Sequence, residues 1–183
     1  PFTTSTAMTE PATPHALLVD DDELVLAGLK RLLRPLQLPV LQASTAEPAG
    51  QYLRSHPVGV IVCEPRDDRL AAFLIHAMVH HPTTTRIILT GYPDMGSVLK
   101  AVNGSHPFKL LTKPWIDDEL CATVRQAMTE HQVNAGRERM LNEYQHLRAS
   151  TERAHAYRAL PVLTQSAPHD ISDNAVQALA VGA

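Results

Sequence analysis

The stretch LLVDDDELVLAGLKRLL, Leu17 to Leu33, joins an apolar run to a helical pattern through three consecutive aspartates. The apolar run begins at Ala16 and has the length of a strand. The segment after the aspartates has the spacing of an amphipathic helix, with its apolar face at Leu24, Leu29, Leu32 and Leu33. Pro35 ends this pattern. The stretch therefore predicts a strand and a helix, joined by a loop that carries acidic residues at the carboxyl end of the strand.

The same alternation of strand and helix continues along the chain. The predicted strands are Ala16 to Val19, Val40 to Ala43, Val58 to Cys63, Arg86 to Thr90 and Phe108 to Thr112. Further helical patterns occupy Thr45 to Ser55, Leu70 to His80, Asp94 to Val102 and a longer segment from Asp117. Because the strands are almost continuously apolar, we predict a parallel sheet with helices on both faces. The fold class is α/β, with a doubly wound five-stranded sheet.

Composition limits the classes of function. The chain has 183 residues, 44% of them hydrophobic, which predicts one soluble globular domain with tails. Its net charge of −3 and its lack of a long basic run argue against direct binding of nucleic acid. It has neither an apolar stretch of the ~18 residues that span a bilayer nor a signal peptide. The unpatterned pair Cys63 and Cys121 suits a reducing compartment, so we expect a cytoplasmic protein without membrane contact.

Polar residues follow four of the predicted strands, at the edge where a parallel sheet of this kind binds its ligands. They are Asp20, Asp21 and Asp22 after the first strand, Glu64 after the third, Thr90 at the end of the fourth, and Lys113 after the fifth. Carboxylates brought together favour a neutralising cation, and oxygen ligands suit Mg²⁺. The threonine and the lysine can contact phosphoryl oxygens. This set predicts phosphoryl transfer to a carboxylate, and Asp22 is expected only to cap the helix.

Three segments resemble the receiver domain of two-component response regulators. They are Leu17 to Leu33, RIILTGYPD (Arg86 to Asp94) and LLTKPWIDDEL (Leu110 to Leu120). The resemblance covers residues 15 to 132 and implies a flavodoxin-like fold with strand order 2-1-3-4-5. It also implies a signal-transduction module rather than an enzyme.

The resemblance assigns roles to the residues at the strand ends. Asp20 and Asp21 match the acidic pocket, and Glu64 stands at the phospho-acceptor position, where the family has an aspartate. The implied Mg²⁺ ligands are Asp21, Glu64 and the backbone carbonyl of Arg66. Thr90 matches the family's switch hydroxyl, and Lys113 matches the lysine that contacts the phosphoryl group. Pro114 matches the proline that follows a cis peptide bond.

Three departures from the family pattern concern this site. Glu64 is one methylene longer than aspartate, which moves its carboxylate by about 1.5 Å, and a misplacement of that order can cost ~100-fold in rate. The loop EPRDDRLAAFL, Glu64 to Leu74, lacks the family's Met-Pro and Asp-Gly turn and is shorter. Leu110 stands where the family has a switching Tyr or Phe. We therefore predict that phosphoryl transfer is lost and that Mg²⁺ binding is weak.

Two other groups of residues invite a chemical interpretation. His76 and His80, with His81 beside them, have a spacing that can hold zinc, but no third ligand is evident. An exposed helix face is the preferred interpretation. Cys63 ends a buried strand and is predicted to be a small core residue rather than a nucleophile.

The two ends of the chain differ from the receiver-like segment. Residues 1–14 are predicted to be a disordered leader, 133–160 a helical extension and 161–183 a loose tail. In the extension, apolar residues recur every seven positions at Val133, Met140, Leu147 and Ala154, whereas Arg137 and Thr151 fill the second half of the seam poorly. The pattern predicts a weak coiled coil and a homodimer, and a solvated single helix or linker is the alternative.

The features together predict a receiver module that works without phosphorylation, through protein–protein interaction or dimerisation. Its expected partner is a sensor kinase or an output protein. The alternative is that the chain is the regulatory fragment of a larger response regulator, still phosphorylated by a histidine kinase. Its output domain would then be an HD-GYP-like phosphodiesterase or a transcription activator.

Overall fold

A computed structural model describes residues 13–91 and 95–158 of the chain. The predicted tail and all but the last two residues of the predicted leader lie outside the described residues, as do residues 159 and 160 of the predicted extension. The contacts divide the chain into one unit that ends at Leu141 and a second that begins at Asn142.

Within the described ranges, strands and helices alternate as predicted. The strands are β1 (His15–Val19), β2 (Val40–Ala43), β3 (Val58–Cys63), β4 (Thr85–Thr90) and β5 (Lys109–Thr112). The helices are α1 (Glu23–Leu32), α2 (Ala46–Ser55), α3 (Asp68–His80), α4 (Met95–Ser105) and α5 (Asp117–Arg158), and a 3₁₀ turn at Arg34–Leu36 follows α1. All pairings are parallel and the strand order is β2-β1-β3-β4-β5, which confirms the predicted doubly wound sheet.

Alternate residues of the central strands point to opposite faces of the sheet, because side chains in a strand alternate. Ile61 and Cys63 of β3 pack with residues of α2, α3 and α4, whereas Val60 and Val62 pack with α1 and α5. All six residues of β3 are buried. Burial and the nearby carboxylate of Asp20 raise the pKa of the Cys63 thiol, so this residue is an inert core residue, as predicted.

Helix α3 begins earlier than the apolar spacing indicated. It starts at Asp68 rather than Leu70, because Asp67 caps it by accepting a hydrogen bond from the backbone N–H of Leu70 at 2.8 Å.

Helix α4 ends later than predicted, at Ser105 rather than Val102. The side chain of Arg86 on β4 donates a 2.7 Å hydrogen bond to the carbonyl of Ser105, at the last turn of the helix. Arg86 also donates to the carbonyls of Thr84 and His106. His106 then adopts a left-handed φ of 45°, and Pro107 follows. A buried arginine from β4 therefore satisfies carbonyls at the end of α4.

Helix α5 contributes to the core through its N-terminal part. Leu120, Val124 and Met128 pack against the sheet, and a ring nitrogen of His131 lies 2.8 Å from the carbonyl oxygen of Thr83. In the second unit, the side chains described on α5 are exposed. None of the helices in the described part of the chain has the length and apolar character needed to cross a membrane.

The role of Arg86 can be tested by replacing it with methionine, which keeps an unbranched, flexible side chain but removes the guanidinium donors. Because the buried carbonyls of Ser105 and Thr84 lose a partner, we expect R86M to lower the free energy of unfolding by about 1–3 kcal/mol. Urea denaturation measures this change. The matched control is R69M, at an exposed position of α3, which we expect to stay within about 0.5 kcal/mol of the wild type. Equal stability of R86M and R69M would contradict the assigned role.

Candidate functional site

The structure brings the polar residues of the strand ends to one edge of the sheet. Asp20 directly follows β1, Glu64 follows β3 and Lys113 follows β5. Backbone hydrogen bonds continue between the strands at this edge, from Glu64 N–H to the Val19 carbonyl at 3.2 Å and from Lys113 N–H to the Thr90 carbonyl at 2.7 Å. Asp20, Glu64 and Lys113 therefore lie next to one another at this edge of the sheet, as the sequence predicted.

Lys113 is the cation at the centre of this group. Its Nζ donates to Asp20 Oδ2 at 2.6 Å and to Glu64 Oε2 at 2.7 Å. The side chains of Lys113, Asp20 and Glu64 are only 14%, 2% and 7% exposed. Burial by itself would lower the pKa of Lys113, but the hydrogen bonds to Asp20 and Glu64 raise that pKa above its ordinary value. The ammonium group therefore stays charged.

Glu64 receives three hydrogen bonds on its carboxylate. Besides Lys113, the donors are Arg66 Nε to Oε2 at 2.7 Å and the backbone N–H of Gly91 to Oε1 at 2.8 Å. Burial would raise the pKa of Glu64, but these donors lower the pKa below its ordinary value. A Cβ on Gly91 would lie 3.3 Å from Glu64 Oε1, so a glycine permits this close approach of the backbone. The Glu64 carboxylate is therefore ionised and fixed in position by three hydrogen bonds.

Arg66 joins Glu64 to Asp21 through its side chain. Its Nη1 lies 3.0 Å from Asp21 Oδ1, while its Nε donates to Glu64. The hydrogen bond to Glu64 raises the pKa of the guanidinium group. The Arg66 and Asp21 side chains are 48% and 57% exposed, so this pair forms the solvent-facing rim of the site. The family resemblance implied only a backbone carbonyl for Arg66. The sequence signal for its side-chain role is the position of a cation two residues after Glu64 in a shortened loop.

The remaining predicted residues occupy the same edge or its surroundings. Thr90 is buried at the end of β4, and the Lys113–Pro114 peptide bond is cis, as the resemblance implied. Asp22 caps α1, as predicted, by accepting hydrogen bonds from the backbone N–H groups of its first turn. Leu110 is exposed on β5, which is an edge strand.

The donor set does not fit Mg²⁺ in this arrangement. Mg²⁺ demands near-octahedral oxygen ligands at about 2.0–2.1 Å. Here the carboxylates of Asp20, Asp21 and Glu64 already accept hydrogen bonds from Lys113 or Arg66. Among residues 13–91 and 95–158, no three His, Cys, Asp or Glu side chains are grouped so that they could hold a metal ion. The geometry therefore does not support the expected weak Mg²⁺ site at Asp21, Glu64 and the Arg66 carbonyl.

Two curated relatives match the chain over its receiver-like part. The hydrogenase transcriptional regulatory protein HoxA of Cupriavidus necator is 35% identical over 114 residues, which are 61% of this chain and 23% of the relative. The protein of the same name from Bradyrhizobium diazoefficiens is 30% identical over 114 residues, again 61% of this chain and 23% of the relative. The chain thus spans about a quarter of the length of the curated relatives it matches. No family model matches it.

Solved structures match the whole domain. The signal receiver domain of an HD domain-containing protein from Pseudomonas fluorescens Pf-5 is 34% identical, with a TM-score of 0.65, and the match covers 72% of this chain and 98% of that domain. A CheY-like response regulator receiver domain protein from Methanospirillum hungatei JF-1 shares the fold at 20% identity, with a TM-score of 0.61 and coverage of 67% and 99%. On the strength of these matches, the chain belongs to the family of response regulator receiver domains.

Proposed function

We propose that this receiver signals without accepting a phosphoryl group. The observation that carries the proposal is the 2.7 Å contact between Lys113 Nζ and Glu64 Oε2. By the family resemblance, Lys113 is the lysine that contacts the phosphoryl group and Glu64 stands at the acceptor position. The longer side chain of glutamate therefore supplies, from within the chain, an anion to the lysine that would otherwise meet the phosphoryl oxygens.

The state of the Glu64 carboxylate argues against phosphoryl transfer to it. Both of its oxygens accept hydrogen bonds, and the residue is buried. A nucleophilic carboxylate has to direct a free oxygen at the phosphorus atom, in line with the leaving group. Lys113 and Arg66, the cations nearest to the acceptor position, are also already paired with Asp20, Asp21 and Glu64. We infer that the pocket stays in one charge state.

A receiver in one fixed state acts through the surface that it presents to other proteins. We propose that this surface contacts a sensor kinase or an output protein, and that the helical extension pairs two copies of the chain. On α5 the apolar residues Val133, Met140, Tyr144 and Leu147 are exposed. Burying each is worth up to about 1.5–3 kcal/mol before the cost of association. Arg137 and Thr151 in the same seam limit the affinity.

The second candidate is a phosphorylated regulatory fragment of a longer response regulator. The relatives favour it: one is a transcriptional regulatory protein, and one solved receiver domain comes from an HD domain-containing protein. In this candidate, Glu64 would accept phosphate from a histidine kinase, and an output domain would carry the activity. The two candidates differ in whether Glu64 becomes phosphorylated.

The proposed function predicts no phosphoryl adduct on this protein. After incubation with acetyl phosphate and Mg²⁺, intact-mass analysis should show the unmodified mass, because the Glu64 carboxylate is held by Lys113, Arg66 and Gly91. A receiver domain with an aspartate acceptor, treated in parallel, serves as the positive control. A base-labile phosphoryl adduct that is absent from the E64Q variant would refute the proposal and favour the second candidate.

The proposed pairing of the extension predicts a homodimer. Light scattering at high micromolar concentration should give a dimer mass for the wild type and a monomer mass for the M140E/L147E double variant, because the added charges face each other in the seam. Both positions are exposed, so the substitutions leave the core intact.

The matched control is N142E, which adds a charge at an exposed position outside the seam and should stay dimeric. A monomeric wild type would show that the extension is a linker. A double variant that remains dimeric would move the association to the receiver domain.

A further inference from the structure

The guanidinium group of Arg66 bridges the two carboxylates that the resemblance assigns to Mg²⁺. It contacts Glu64 through Nε at 2.7 Å and Asp21 through Nη1 at 3.0 Å. We propose that Arg66 is a built-in cation that takes the place of the divalent metal, so that this receiver keeps its pocket assembled without Mg²⁺.

The shape of the arginine side chain suits this role. A guanidinium group presents several N–H donors in a rigid planar fork, and it stays protonated at any physiological pH. Here two different nitrogens of one side chain reach carboxylates on two loops, one after β1 and one after β3. A single divalent cation would join the same two loops. Arg66 therefore makes the connection between these loops that the metal would make.

The carboxylates of this group already have cationic partners, and their three negative charges against the two positive charges of Lys113 and Arg66 leave a net charge of only −1. Each carboxylate of the site has an amino or guanidinium nitrogen within 3.0 Å: Lys113 for Asp20, Lys113 and Arg66 for Glu64, and Arg66 for Asp21. A metal ion at Asp21 and Glu64 would have to displace Arg66 or sit beside its positive charge. Both alternatives weaken metal binding.

The short loop after β3 holds Arg66 in position. The backbone N–H of Arg66 donates to the carbonyl of Glu64 at 2.9 Å, which forms a tight turn. The next residue, Asp67, caps α3. The backbone on both sides of Arg66 is thus held by hydrogen bonds, while its side chain is half exposed. We therefore expect that removing the guanidinium group leaves the core unchanged.

This inference rests on the proposed function, because a receiver that transfers no phosphate has no need of a catalytic metal. The inference about Arg66 and the proposed function can fail independently, because metal binding and phosphoryl transfer are measured in different experiments. Phosphorylation of the wild type in the presence of EDTA would contradict the proposed function and would leave the role of Arg66 intact.

The test compares the wild type with R66Q and with R69Q, a matched loss of one exposed positive charge on α3. Each protein is titrated with MgCl₂ in a calorimeter, and its thermal unfolding is recorded with Mg²⁺ and with EDTA. We expect R66Q to bind Mg²⁺ at least tenfold more tightly than the wild type, and Mg²⁺ to raise the Tm of R66Q alone. R69Q should behave like the wild type, which excludes a general effect of net charge.

Three results would overturn the inference. If the wild type binds Mg²⁺ as tightly as R66Q, Arg66 does not exclude the metal. If R66Q binds no Mg²⁺ although it remains folded, something other than Arg66 prevents binding. An equal increase in Mg²⁺ affinity for R66Q and R69Q would also contradict the inference, because the increase would then come from the change in net charge.

Discussion

The ammonium group of Lys113, held between Asp20 and Glu64, is the contact on which the rest of the site depends. It joins the loops that follow β1, β3 and β5, and all three side chains are removed from water. Charges in such a place are stable only when each has a partner, and removal of one partner of a buried pair typically costs about 3–5 kcal/mol. The positions of Asp20, Glu64 and Lys113 are therefore tied to one another and to the end of the sheet.

Glu64 has one methylene more than the aspartate that the family has at this position, and its carboxylate takes part directly in this contact. The glutamate carboxylate itself reaches Lys113 and the backbone N–H of Gly91, two donors on different strand ends. Arg66 completes the set from the solvent side. Each carboxylate of the pocket thus has a cationic partner within the chain. This pairing supports the proposal that signalling by this receiver depends on the surface that it presents to a partner rather than on chemistry at the pocket.

Local patterns in the sequence predicted most of the fold, and long-range side-chain contacts account for what they missed. Apolar runs placed the strands within a residue of their observed ends, because burial on both faces of a parallel sheet leaves a continuous signal. The predicted end of α4 was wrong because Arg86, which lies on β4, donates a hydrogen bond to the backbone carbonyl of Ser105 in the last turn of the helix. The site residues were found at the strand ends, but the side-chain role of Arg66 depends on Asp21, 45 positions earlier. No local pattern carries that information.

A double-mutant cycle on Glu64 and Lys113 can show whether the carboxylate of Glu64 is paired with the ammonium group of Lys113 in solution. The free energy of unfolding is measured for the wild type, E64Q, K113M and the double variant. We expect a favourable coupling energy of about 1–3 kcal/mol, because the two residues are in direct contact. If the effects add within about 0.5 kcal/mol, Glu64 and Lys113 are not paired in solution, and the lysine remains available to a phosphoryl group.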